Sequence, residues 1–208
     1  MDQGLLCHVG FVSEGTPYVI PMAYARDGDH LYLHGAAGNR TLRALAAGTE
    51  ACVTVTLLDG LVLARSAFHH SMNYRSVMLF GTATRVTDPV EMRRASEVLL
   101  DHMAPGRSAD ARPPSDQELT ASLVLRFPIE EGSAKVRTVP PVDEPEDMLL
   151  PIWAGEIPLT VEAGRAVADP ELLPGVALPA YAASYRRPDD AVEPDCAGQP
   201  DRAGQPEH

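Results

Sequence analysis

The sequence has one lysine, one tryptophan and three cysteines in 208 residues, and each scarcity excludes something. Cys7, Cys52 and Cys196 are odd in number and far apart, so they form neither a disulfide framework nor a zinc spacing. No apolar run reaches the roughly 18 residues that a membrane span needs. The N-terminus lacks a basic region and a cleavage-site pattern, which argues against a secretory signal and for a cytoplasmic protein. A basic excess is missing too, because the net charge is -12. That charge is uneven. Residues 1 to 85 carry six arginines against six acidic groups and hold five of the seven histidines, while the second half supplies all the excess acidity. Phosphate backbones need a basic field, so no nucleic-acid partner is expected, although a small anion suits the neutral first half.

What is present is enough apolar content, 45%, for a packed core. Residues 5 to 12 read as a strand, and Gly15 marks a hairpin turn into a second strand over 18 to 25. Pro21 within that strand suggests an edge or a bulge. Asp27-Gly28 is a second turn signal, and 30 to 35 is a third strand. A short helix follows, capped by Asn39 or Thr41 and closed by Gly48. The run "ACVTVTLLDGLVLAR" reads as strand, Asp-Gly turn, strand, and 76 to 87 as another strand bent at Gly81. Asp88 and Pro89 open a longer helix, and the last clear strand lies near 121 to 129. Six or seven antiparallel strands with inserted helices predict a mainly β fold, a small closed or split barrel. "LLPIWAGEIPLTVEAG" is one more piece of ordered structure, and the polar tail from 186 to 208 is predicted disordered, with Cys196 inert in it.

Two stretches concentrate chemistry. In "HGAAGNRTLR", small residues let a ligand approach the backbone, and Arg40 stands at a helix start, which suits a phosphate or carboxylate; an ordinary turn with a solvated arginine is the plainer reading. "RSAFHHSMNYRSVMLFG", residues 65 to 81, gathers two arginines, two histidines, three serines, an asparagine and a tyrosine before an apolar run. Arg75 and Ser76, at a strand start, can reach the same anion. Adjacent His69 and His70 would point to opposite faces of a strand, and neither has partners at metal spacing, so no metal site is expected. So many donors need acceptors, which a donor-hungry ligand would supply.

"PMAY", "DGDHLYLHG" with its arginine-bearing helix, and "FHHSMNYRSV" before a strand ending in glycine are specific in combination. With them the chain resembles the FMN-binding split barrels of the pyridoxamine 5′-phosphate oxidase-like superfamily, in the branch that includes nitroimidazole-resistance proteins. The likeness runs from about residue 3 to about 160. It implies a split-barrel domain over 1–160, a C-terminal extension packed on it over 161–185, and FMN at the interface of a homodimer. It further implies that Asn39, Arg40, Arg75 and Ser76 hold the phosphate. Pro21, Met22, Ala23 and Tyr24 would line the isoalloxazine, and His34 would end the strand beneath the phosphate loop. His70, as the catalytic candidate, and Ser71 would lie near the ring or the substrate. "SAKVRT", with Lys135, and "PIWAGEIPL" also look like this family, and Trp153 would border the flavin or else anchor the C-terminal segment.

Two departures accompany the resemblance. Such proteins commonly carry a segment before the first strand, so this chain is expected to lack one wall of the dimer interface or to start late. The arginine-rich C-terminal motif of true pyridoxamine phosphate oxidases is missing, so vitamin B6 oxidation is not expected. The expected function is a flavin-dependent oxidoreductase acting on a small molecule. The alternatives are a non-catalytic flavin-storage protein, or the same fold holding deazaflavin F420 or haem. F420 carries a long acidic tail that wants an extended basic groove, and only Arg40 and Arg75 stand out here, whereas haem could use His34, His69 or His70 as an axial ligand.

Overall fold

The computed structural model describes residues 1–186; Cys196 and the polar tail beyond Arg186 lie outside it. Nine strands form one curled antiparallel sheet. They are β1 (Leu6–Ser13), β2 (Thr16–Asp27), β3 (His30–Ala36), β4 (Glu50–Leu63), β5 (Ser71–Thr82), β6 (Thr84–Arg85), β7 (Ser122–Pro128), β8 (Glu131–Arg137) and β9 (Gly155–Pro158). Their order is β6-β7-β3-β2-β1-β4-β5-β8, with β9 paired to the far end of β4. The helices are α1 (Arg40–Ala46), α2 (Pro89–Met103), α3 (Arg107–Asp110), α4 (Asp116–Ala121) and α5 (Ala180–Ala183). This is the split-barrel architecture expected from the sequence, with more strands than the six or seven read there.

Local chemistry explains the layout. The β1–β2 turn places Glu14 at φ 52° and Gly15 at φ 76°, the doubly left-handed geometry that matches strand twist in a tight hairpin. β2 then divides its pairing: residues up to Ala23 pair with β1, and from Tyr24 onward with β3. The sheet curls at that point into a larger part (β1, β4, β5, β8) and a smaller part (β3, β7, β6). Inward-facing Cys7, Val9, Tyr24, Leu33, Val53, Leu79 and Phe127 fill the space between them with Leu42 and Leu45 of α1. Behind the smaller part lies a second core, in which Met92, Ala95 and Leu99 of α2 cover Ala25, Tyr32 and Val124. Their spacing of three and four residues is the apolar stripe of an amphipathic helix. Asp88 caps α2 by accepting from the Val90 N–H, with Pro89 in the first turn.

Three expectations change. The Asp59-Gly60 turn is not a turn, because β4 runs straight through with a bulge between Leu58 and Gly60. The cause is tertiary: β9 lies along this stretch, the Leu159 N–H donates to the Asp59 carbonyl, and Glu156 sits where a Cβ on Gly60 would be. β5 begins at Ser71 rather than 76, so Arg75 and Ser76 are inside a strand. The segment after β7 makes a further strand, β8, along β5. Among the described residues no helix is long and apolar enough to cross a membrane.

Candidate site on the outer face of the larger sheet

The donor-rich run 65–76 is largely satisfied by the chain itself, contrary to the expectation that a ligand would meet those donors. Asp143, whose side chain is 1% exposed, accepts from the backbone N–H groups of Arg65 (2.8 Å) and Ser66 (3.3 Å) and from Arg65 Nη1 (3.0 Å). Burial works against the Asp143 charge, and the hydrogen bonds from Ser66 and Arg65 outweigh it and hold the carboxyl below its ordinary value. His69 Nε2 lies 3.6 Å from Glu144. Asn73, the buried polar hub, donates to Glu156 Oε1 (2.8 Å) and accepts from Arg137 Nη1 (2.8 Å) and the Val139 N–H (3.2 Å). Arg75 makes a two-pronged pair with Asp59 (2.8 and 3.0 Å) and also bonds Gln3. These donors therefore staple the segment after β8 to the barrel and brace its end.

Neighbouring residues in a strand face opposite sides, and this rule sorts the expected flavin contacts. In β2, Pro21 and Ala23 face outward, whereas Met22 and Tyr24 face the core. Tyr24 is fully buried, its hydroxyl donates to the Met1 carbonyl, and burial pushes that hydroxyl's pKa up. Ser76 faces outward while Arg75 faces inward toward Asp59. Asn39 is spent as the α1 cap, accepting from the Leu42 N–H, and Arg40 is exposed at the start of a helix that packs on β3, β6 and β7. The four expected phosphate residues are thus divided among three surroundings instead of forming one cradle. His34 is on the outer side of β3, across from Val124, and Ser71 opens β5 across from Val62.

His69 and His70 are not on a strand. They close a 3-10 turn over Ala67–His69, so their opposition is not a strand alternation. His70 is exposed, and its Nδ1 lies 3.0 Å from the Ser66 carbonyl. A carbonyl only accepts, so Nδ1 carries the proton, and among the described residues Nε2 has no hydrogen-bond partner. Phe68 (88% exposed), Trp153 (65%) and Met72 (52%) are uncovered apolar side chains of the same turn, of β5 and of the segment before β9.

The outer face of the larger sheet has the clearest site chemistry. Register sets Pro21, His8, Thr54, Met78 and Ser133 in one row across five strands, and Val19, Gly10, Cys52, Phe80 and Glu131 in the next. On the same face Thr56, Ser76 and Lys135 form a third row, and Leu58, Tyr74 and Arg137 a fourth. Leu6, Val12, Val19, Met78 and Phe80 stay 41–67% exposed on it. A contiguous patch of this kind marks an interaction surface or a ligand face. Lys135 Nζ lies 5.6 Å from the Tyr74 ring centre, beside Ser76. A groove of about 780 Å³ opens at the opposite end, lined among others by Phe11, Tyr18, Cys52 and Phe80. Lys135 is the residue that reading the sequence left without a role. Its signal was an only lysine placed at an outward position of an alternating strand. Among the described residues no cluster of three or more His, Cys, Asp or Glu could hold a metal ion.

Residues 1–136 match the family model described as pyridoxamine 5′-phosphate oxidase. The chain is similar to the FAD and heme binding protein from Mycobacterium smegmatis, at 40% identity and TM-score 0.83, with 86% of this chain and 88% of that one covered. It is equally similar to the flavocytochrome Anf3 from Azotobacter vinelandii, at 39% identity and TM-score 0.83, covering 89% and 86%. A third structure, ascribed to 5-nitroimidazole antibiotic resistance in Bacteroides thetaiotaomicron VPI-5482, shares 28% identity at TM-score 0.54, over 64% of this chain and 77% of that one. No curated protein matches the chain.

Proposed function

The chain belongs to the pyridoxamine 5′-phosphate oxidase family, and on that premise we propose that it is a flavin-binding redox protein whose flavin lies on the outer face of the larger sheet, between two copies of the chain. The observation that carries this reading is the face itself. A flat apolar ring needs a flat apolar bed with a few hydroxyls at its edge, and the phosphate end needs a cation. Pro21, Ala23, Met78 and Phe80 supply the bed, Thr54 and Ser76 the hydroxyls, and Lys135 the cation. Phe80 and Ser76 lie four positions apart on β5, about 13 Å of strand, so ring and phosphate can occupy the two ends. A second copy laid on this face would cover the exposed apolar side chains and close the site. FMN is the flavin expected from the sequence, and the FAD of the mycobacterial relative speaks for the dinucleotide; both present the same ring and the same first phosphate. A bound flavin supplies the electron transfer, and the chain supplies placement, the hydrogen bonds at the ring edge and the limits on access.

A second cofactor is favoured by one specific observation. The Nε2 of His70, whose Nδ1 lies 3.0 Å from the Ser66 carbonyl, would be the nitrogen to hold a haem iron, and exposed Phe68 and Met72 stand within two residues of it in the chain. Both relatives near 40% identity are haem or cytochrome proteins by name, which supports a flavin-and-haem protein over a flavin-only store.

The test is the absorption spectrum of purified protein, with chromatography of the flavin released by heat. Flavin bands with FMN or FAD released support the proposal, and a Soret band adds haem. Protein that stays colourless when supplied with FMN, FAD and hemin defeats it. Met78→Glu, which puts a charge on the bed without touching the core, should abolish flavin uptake and leave the fold intact.

A further inference from the structure

Asp143 lies far from 65–70 in sequence, on the segment that follows β8, yet its carboxylate is what holds the 65–70 turn. Its Oδ1 accepts from the Ser66 N–H, and the carbonyl of that same residue accepts from the His69 N–H (3.2 Å) and from His70 Nδ1 (3.0 Å). The Ser66 hydroxyl accepts from the Phe68 N–H. Ser66 is thus clamped on its N–H side by Asp143 and presents its carbonyl to the imidazole on the other. Glu144, the next residue, faces His69, so the two acidic neighbours hold the turn and leave His70 Nε2 as the ring nitrogen that meets nothing among the described residues.

We infer that Asp143 is a positioning residue for His70: through Ser66 it fixes the orientation of the imidazole and its Nδ1–H tautomer, so that the Nε2 lone pair is presented outward. The inference deepens the haem reading of His70 and rests on it for its purpose, but not for its geometry. In solution a free imidazole favours the Nε2–H form, in which Nε2 can ligate nothing. A carbonyl held in place at Nδ1 reverses that preference. Asp143 is therefore coupled to the candidate ligand nitrogen through Ser66.

The tautomer can be read without any cofactor. In full-length protein labelled with 15N-histidine, long-range 1H–15N spectra should show His70 as the Nδ1–H form, with the resonance assigned by its loss in His70→Gln. Asp143→Ala should move His70 to a mixture rich in the Nε2–H form. Asp143→Asn keeps an oxygen for the two backbone N–H groups and should hold the wild-type pattern. Asp143→Ser, too short to span the contact, makes the same test as alanine if that variant does not fold. An unchanged His70 pattern in the shortened variant overturns the inference. Hemin titration then tests the reading it serves: wild type should take up hemin with a Soret band shifted and sharpened from that of free hemin, His70→Gln should not, and Asp143→Ala should bind about 10–100-fold more weakly, the range for partners one step behind a ligand. Wild type that ignores hemin while the tautomer still shifts defeats the haem reading and leaves the positioning role standing. Asp143→Ala that matches wild type in both affinity and Soret position overturns the positioning role.

Discussion

Asn73 offers the sharpest test of how the C-terminal segment is fastened. Its amide nitrogen donates to Glu156 on β9, and its amide oxygen accepts from Arg137 on β8 and from the Val139 N–H. Two of the three bonds involve a charged partner, worth about 1.5–3 kcal/mol each, and the third about 1 kcal/mol. Glu156 is exposed and Arg137 half-buried, so water replaces part of what each loses. Asn73→Ala should therefore cost about 2–3 kcal/mol, a fall of roughly 5–10 °C in Tm for a chain of this size. Asn73→Asp has the same shape and keeps both accepted bonds, but it sets two carboxylates against each other at what is now a 2.8 Å contact. At neutral pH it should cost at least as much as alanine. Glu156→Gln alone should cost no more than about 1 kcal/mol, because a glutamine oxygen still accepts from Asn73 and loses only the charge assistance at an exposed site. The double variant Asn73→Asp with Glu156→Gln exchanges amide and carboxylate across one contact and should recover about 2 kcal/mol of the Asn73→Asp loss. Urea denaturation of the four proteins followed by circular dichroism closes the cycle. Additive losses, with no recovery in the double variant, would refute the assignment of this contact.

Other outcomes follow from the same contacts. Asp88→Ala removes the α2 cap and should cost about 1 kcal/mol, seen as a drop of roughly 2–4 °C in Tm. The Glu118 carboxyl is drawn down to about 2, first by the Arg112 guanidinium and then by the Ser115 N–H and hydroxyl. A carboxyl depressed in the folded state stabilises above its unfolded value of 4.5 and loses that contribution as the pH falls toward 2, so Glu118→Gln should flatten the fall of the denaturation midpoint across that window. Burial pushes the Cys7 thiol up to about 12. In a Cys52→Ser, Cys196→Ser background, Ellman's reagent at pH 8 should then find no reactive thiol until denaturant is added.

The sequence by itself determined the hairpin meander, the split-barrel class and the α2 cap, because each is written in local signals: turn glycines, period-two alternation, and Asp88 followed by Pro89. It also carried the family resemblance. Tertiary structure decided the rest. Asp59-Gly60 has the letters of a turn, yet β9 pairs across it and pulls β4 straight. Pro21 to Tyr24 and Arg75-Ser76 read as continuous contact strings, but a strand sends alternate side chains to opposite faces, which divides them between core and surface. The donors of 65–76 called for acceptors, and which acceptors could not be read locally: Asp143, Glu144 and Glu156 lie more than 70 residues away, and only the return of the chain after β8 brings them there. Lys135 enters the proposed site for the same reason, since its row-mate Ser76 is a neighbour across strands and not along the chain.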